Sequence, residues 1–117
     1  MKQIIIADDD PGIRDVFGLI LTRAGYYVTL FSNGEVILNH EFTPPNLFII
    51  DKQLSGVDGL EVCKFLKQNQ STKNIPVLMT SASPNAARVA ANAGADAFIE
   101  KPFKIQTLIK LIEQFIA

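Results

Sequence analysis

Ile4-Ile5-Ile6-Ala7-Asp8-Asp9-Asp10-Pro11-Gly12 (IIIADDDPG) sets four apolar residues directly against three aspartates. A short apolar run that stops at turn-forming residues reads as a buried strand. Pro11 suits the first turn of a helix and Asp10 its cap. Carboxylates crowded at the mouth of such a strand repel one another, so some must hold protons or meet a cation. The cap accounts for Asp10 and leaves Asp8 and Asp9 unexplained.

Outward from this stretch, short strand-like runs alternate with helical spacing. After Gln3–Ala7 come Ile13, Val16, Phe17, Ile20, Leu21 and Ala24 on one helix face, with Gly25 as a stop. Tyr27–Phe31 reads as a second strand. Ser32-Asn33-Gly34-Glu35 reads as a capping box for a short second helix that ends at Thr43-Pro44-Pro45-Asn46. Leu47-Phe48-Ile49-Ile50, apolar on both faces, is a central strand ending at Asp51. Asp58, with Glu61 three residues on, starts a third helix that runs to about Asn69. Pro76–Thr80 is a fourth strand, Pro84–Ala93 a fourth helix closed by Gly94, and Ala97–Ile99 a fifth strand. Ile105, Leu108, Ile109, Ile112, Phe115 and Ile116 form one broad face of a last helix. Five such alternations imply a parallel sheet with helices on both faces, an α/β fold. The count suits the doubly wound, flavodoxin-like order 2-1-3-4-5.

Composition narrows the function classes. The 117 residues, 48% hydrophobic and 20% charged, suit one soluble domain, and the net charge of −1 leaves no basic stripe for nucleic acid. The apolar runs are far too short for a membrane span, so a cytoplasmic protein without direct nucleic-acid or membrane partners is expected. Cys63 is the only cysteine, which excludes an internal disulfide and a thiolate metal cluster; it reads as a small helix residue near the core. His40, also alone, reads as a surface residue.

In the order 2-1-3-4-5, strands 1 and 3 are neighbours and ligands bind beyond their carboxyl ends. Asp8, Asp9 and Asp10 follow strand 1, Asp51 follows strand 3, Ser81 strand 4 and Lys101 strand 5. Aspartates facing one another across adjacent strands demand a cation, and oxygen ligands of this kind favour Mg²⁺ or Mn²⁺. Lys101 and Ser81 supply a positive charge and a hydroxyl suited to phosphoryl oxygens. Asp51 is the expected acceptor of a phosphoryl group, a reaction that needs positioning and charge neutralisation above all.

These residues give the chain a resemblance, over nearly its whole length, to the receiver domains of two-component response regulators. It rests on Ile6-Ala7-Asp8-Asp9 with Arg14 following, Ile49-Ile50-Asp51, Gly59 eight residues after that aspartate, Pro76-Val77-Leu78-Met79-Thr80-Ser81-Ala82, and Lys101-Pro102-Phe103. The resemblance implies one receiver domain over residues 1–117, without an output domain. It implies phosphoryl transfer to Asp51 from a histidine kinase or a histidine phosphotransfer protein. Asp9, Asp51 and the backbone carbonyl of Gln53 would hold the metal, with Asp8 acting through water. Lys101 would pair with the acidic pocket and then with phosphate, and its bond to Pro102 would be cis. Ser81 and Phe98 match the two switch positions that carry the change to the fourth helix, fifth strand and fifth helix, and so to a downstream protein target or a missing output domain. Such a chain is a switch with self-phosphorylation and self-dephosphorylation chemistry, not a turnover enzyme.

Some positions depart from the pattern. Ser55 stands where proline is common, so a more flexible acceptor loop is expected, and Lys52 is an unusual neighbour for Asp51. Gln53 and Ser83 stand where the family tunes phosphate lifetime. Two rival readings differ in class. A haloacid-dehalogenase-like phosphatase would use Asp8 as its nucleophile, but Gly12 breaks that motif and the chain is short for that fold. A phosphorylation-independent binding module would typically have lost an acidic residue or the lysine, and all are present.

Overall fold

A computed structural model describes residues 1–116. The elements are β1 (Gln3–Ala7), α1 (Pro11–Arg23), β2 (Tyr27–Phe31), α2 (Glu35–Leu38), β3 (Leu47–Asp51), α3 (Gly59–Gln68), β4 (Val77–Ser81), α4 (Ala86–Asn92), β5 (Ala97–Glu100) and α5 (Ile105–Ile116). Among the described residues the five strands form one sheet of order β2-β1-β3-β4-β5, every neighbouring pair parallel. None of the helices is long and apolar enough to cross a membrane.

Alternation of side chains along each strand divides the core into two layers. Ile4, Ile6, Leu47, Ile49, Leu78 and Ile99 pack with Phe17 and Leu21 of α1 and Leu108, Ile112 and Ile116 of α5. On the opposite face Ile5, Phe48, Ile50, Val77 and Met79 pack with Ile37 of α2, Val62, Cys63 and Leu66 of α3, and Ala90 of α4. Strands β1 and β3 are continuously apolar because both of their faces are covered. Cys63 is fully buried and its thiol points at the Ala93 carbonyl; burial pushes it up to about 11, which makes it an inert packing residue.

Helix ends follow local chemistry. Asp10 caps α1 by accepting from the Gly12 and Ile13 amides, and Asp58 caps α3 through the Leu60 amide. The second helix departs from expectation at both ends. Its N-cap is Gly34 without a side-chain bond, while Asn33 accepts from the Glu35 amide. It stops after one turn, well before Thr43, because His40 adopts a left-handed φ of 59° and the His40 and Glu41 amides close back on Ile37 and Val36. The exposed His40 ring stacks on Phe42 at 5.0 Å, in keeping with a surface role. Helix α4 begins two residues later than the pattern suggests. The apolar faces of α1 and α5 are also narrower than their sequences suggest: Val16, Ile105 and Phe115 are exposed. Val16 and Ile105 line an open apolar groove that runs past Pro102 and Phe103 to Lys101.

Candidate functional site

The register of the sheet brings three strand ends together. Ala7 of β1 lies opposite Ile50, so Asp8 and Asp9 emerge beside Asp51, the last residue of β3; Asp51 in turn lies opposite Thr80 of β4. Ser81 closes β4 opposite Glu100, and Lys101 follows directly. Carboxylate oxygens of Asp8, Asp9 and Asp51 all lie within 4.8 Å of one another, an all-oxygen cluster able to hold a metal ion. Two of the three carboxylates share one ammonium: Lys101 Nζ is 2.8 Å from Asp8 Oδ2 and 3.4 Å from Asp51 Oδ2.

Each carboxylate is held differently. Asp8 is 1% exposed; its Oδ1 accepts from the Asp10 amide at 3.0 Å, and its backbone carbonyl accepts from Arg14 Nη1 at 2.7 Å. Asp9 is exposed and accepts a hydrogen bond from Ser55 Oγ at 2.9 Å. Asp51, 7% exposed, accepts a long bond, 3.3 Å, from the Gln53 amide beside its 3.4 Å pairing with Lys101. Burial pushes the Asp51 carboxyl above the usual carboxylate range and the Asp8 charge adds to that push, while Lys101 and the Gln53 amide oppose it. Asp10 faces away as a helix cap.

Backbone bonds set the loops that carry these groups. The Lys52 amide donates to the Thr80 carbonyl and the Lys101 amide to the Ser81 carbonyl, each at 2.8 Å, so the β3 and β5 exits are both tied to β4. Gly59 closes the acceptor loop by donating to the Lys52 carbonyl at 2.9 Å. A Cβ there would run into the Asp51 carbonyl oxygen and the Lys52 backbone, which explains glycine at that position. The Lys101–Pro102 peptide bond is cis.

The expected site residues thus share one end of the sheet. Ser81 is fully buried and its hydroxyl accepts from the Ser83 amide at 3.0 Å. Phe98, partly buried, packs against the α3/α4 layer, the sheet face on which Met79 and Ser81 also lie. Lys52, partly exposed, makes no side-chain hydrogen bond or ion pair among the described residues. Two contacts were not legible beforehand. Arg14 reaches the Asp8 carbonyl, and Ser55 tethers the acceptor loop to Asp9, where a looser loop was expected. Only the spacing of Arg14 hinted at the first; no local signal pairs Ser55 with a residue 46 positions away.

Residues 4–113 match the response regulator receiver domain family. The DNA-binding dual master transcriptional regulator RpaA of Synechocystis sp. is 34% identical over 114 residues, covering 93% of this chain and 46% of that protein. Transcriptional regulatory protein FixJ of Bradyrhizobium diazoefficiens is 33% identical over 118 residues, covering 97% and 56%. The chain spans about half the length of the curated relatives it matches. Among solved structures, the chemotaxis response regulator CheY4 of Vibrio cholerae is 25% identical and superposes with a TM-score of 0.89 over 98% of both chains. With a family match over nearly its full length and an acidic pocket at the carboxyl edge of a 2-1-3-4-5 sheet, this chain belongs to the receiver domains of two-component response regulators.

Proposed function

We propose that Asp51 accepts a phosphoryl group from a phosphohistidine of a histidine kinase or phosphotransfer protein. The observation that carries this reading is a buried carboxylate, raised by burial, facing the Lys101 ammonium at 3.4 Å and flanked by two more carboxylates. An Asp51 oxygen forms a bond to phosphorus as the phosphorus–nitrogen bond of the donor breaks, and the leaving imidazole takes up a proton. Asp9, Asp51 and the Gln53 carbonyl, with Asp8 through water, are the residues we assign to Mg²⁺; the cluster fits a hard cation because its donors are all oxygens and its charge is in excess. Bound there, Mg²⁺ neutralises charge on the transferring phosphoryl oxygens. Lys101 holds the acidic side chains at rest and then meets the phosphoryl group.

Ser81 and Phe98 form the switch in this reading. The Ser81 hydroxyl is engaged by one neutral bond, from the Ser83 amide, so drawing it to a phosphoryl oxygen gives up only about 1 kcal/mol. Phe98, on the same sheet face, then repacks and alters the surface of α4, β5 and α5. The change is read by a downstream protein or an attached output domain, in the cytoplasm, and the chain acts as a switch rather than a turnover enzyme.

Mass spectrometry after incubation with acetyl phosphate and Mg²⁺ tests the assignment. One phosphorylated residue, Asp51, is expected, with the phosphate lost in Asp51→Asn and retained in Asp8→Asn at reduced rate. Phosphate on another residue, or turnover of a phosphate ester that stops in Asp8→Asn alone, would overturn it.

A further inference from the structure

Ser55 lies in the loop between β3 and α3, and its hydroxyl donates to Asp9 Oδ2 at 2.9 Å across 46 residues of sequence. Gly56, at a left-handed φ of 83°, turns the chain directly after it. The same loop begins with Asp51 and Gln53 and returns to the site through the Gly59–Lys52 bond. One hydroxyl therefore ties the loop that presents Asp51 and Gln53 to the loop that presents Asp9. Asp9 is the exposed member of the cluster, and no other side-chain bond to it exists among the described residues. Without Ser55, its carboxylate is free to turn about its own side-chain bonds.

We propose that Ser55 is a positioning residue that sets the Asp9 carboxylate for a divalent cation. The proposal rests on the metal-site reading above. A carboxylate held in one rotamer loses less freedom when it takes a cation, so the cation binds more tightly. The bond leaves the second oxygen of Asp9, and the second lone pair of the first, open to a ligand. At 2.9 Å in an exposed setting the bond is longer than strong charge-assisted hydroxyl–carboxylate bonds, which places its effect at the modest end.

The test is Mg²⁺ titration of wild type, Ser55→Ala and Ser55→Thr, followed by amide NMR at Asp9, Asp51 and Gly59. Ser55→Ala is expected to weaken Mg²⁺ about three- to tenfold, the equivalent of one modest hydrogen bond, while Ser55→Thr stays within about twofold of wild type. The rate of phosphorylation by acetyl phosphate in Ser55→Ala returns to the wild-type value at saturating Mg²⁺, which a purely structural defect would not do. Unchanged or tighter Mg²⁺ binding in Ser55→Ala, equal weakening in Ser55→Thr, or a rate deficit that survives saturating Mg²⁺ would each overturn the role of Ser55. Failure of the wild-type protein to bind Mg²⁺ at all would instead overturn the metal site on which the proposal rests.

Discussion

Two lysine–aspartate clusters sit at opposite ends of the same sheet. At the amino end, Lys67 of α3 meets Asp96 at 2.9 Å and also donates to the Ile75 carbonyl, while the same Asp96 oxygen accepts from the Val77 amide. One ammonium faces one carboxylate, and neighbouring backbone groups complete the arrangement. At the carboxyl end, Lys101 pairs with both Asp8 and Asp51, and Asp9 adds a third carboxylate to the same cluster without a lysine of its own among the described residues. Two fully buried threonines repeat the contrast. Thr72, ahead of β4, donates to the Leu66 carbonyl at 2.7 Å; Thr80, opposite Asp51, finds no partner for its hydroxyl among the described residues.

The difference separates a closed polar cluster from an open one. The amino-end cluster joins α3 to the starts of β4 and β5 and requires nothing further. The carboxyl-end cluster retains surplus negative charge and an unpaired hydroxyl, features that cost stability in the resting protein and are offset only by an added cation or by protons. A site proposed to accept a cation and a phosphoryl group has to be unbalanced without them.

Loss of a lysine separates the two ends most. In metal-free buffer Lys101→Ala leaves Asp8 buried without a counter-ion and is expected to cost about 3 kcal/mol in urea unfolding. Lys67→Ala is expected to cost only about 1 kcal/mol, because Asp96 is partly exposed and keeps the Val77 amide. Equal losses would break the distinction between the two ends. Mg²⁺ should recover much of the Lys101→Ala loss and none of the Lys67→Ala loss.

Asp51→Asn has the next largest effect, with the opposite sign. The Asp51 carboxyl is raised, so the folded protein holds that proton to higher pH than the unfolded chain does. The stability this contributes is full in acid, below the unfolded carboxylate range, and is lost as pH rises through the raised native value. Asparagine cannot ionise and escapes that loss. In EDTA near pH 7 the variant is expected to gain about 1 kcal/mol, roughly 4 °C in Tm, with the gain vanishing in acid. A loss of stability near pH 7 would show that Lys101 outweighs burial and Asp8.

The smallest effect falls within the threonine pair. Thr80→Val, which removes a hydroxyl with no partner, is expected to be neutral or to stabilise by about 0.5 kcal/mol; Thr72→Val should cost about 1 kcal/mol. A substantial loss in Thr80→Val would mean that its hydroxyl is engaged after all, and the carboxyl end would be less open than the contrast holds.

Much of this was legible in particular residues. The runs Ile4–Ala7 and Leu47–Ile50 announced covered parallel strands, and Asp10 and Asp58 announced helix starts that their side-chain bonds match. The second helix was less legible, because its end depends on His40 taking a left-handed conformation that is uncommon for any residue but glycine. Val16, Ile105 and Phe115 kept helical spacing but lie outside the buried stripe, since periodicity gives a face and not how far a neighbouring layer extends over it.

Legible in the sequence alone are the candidate groups: aspartates, a hydroxyl and a lysine placed after successive strands, in an order that one parallel fold brings to one edge. How those groups divide their charge emerges from the packed fold, with Lys101 closer to Asp8 than to Asp51 and Ser55 holding Asp9. The physical reason is range. Strand and helix patterns are set by neighbours a few positions apart, whereas hydrogen bonds and ion pairs between residues 46 or 93 positions apart depend on ångström-scale placement that no local pattern encodes.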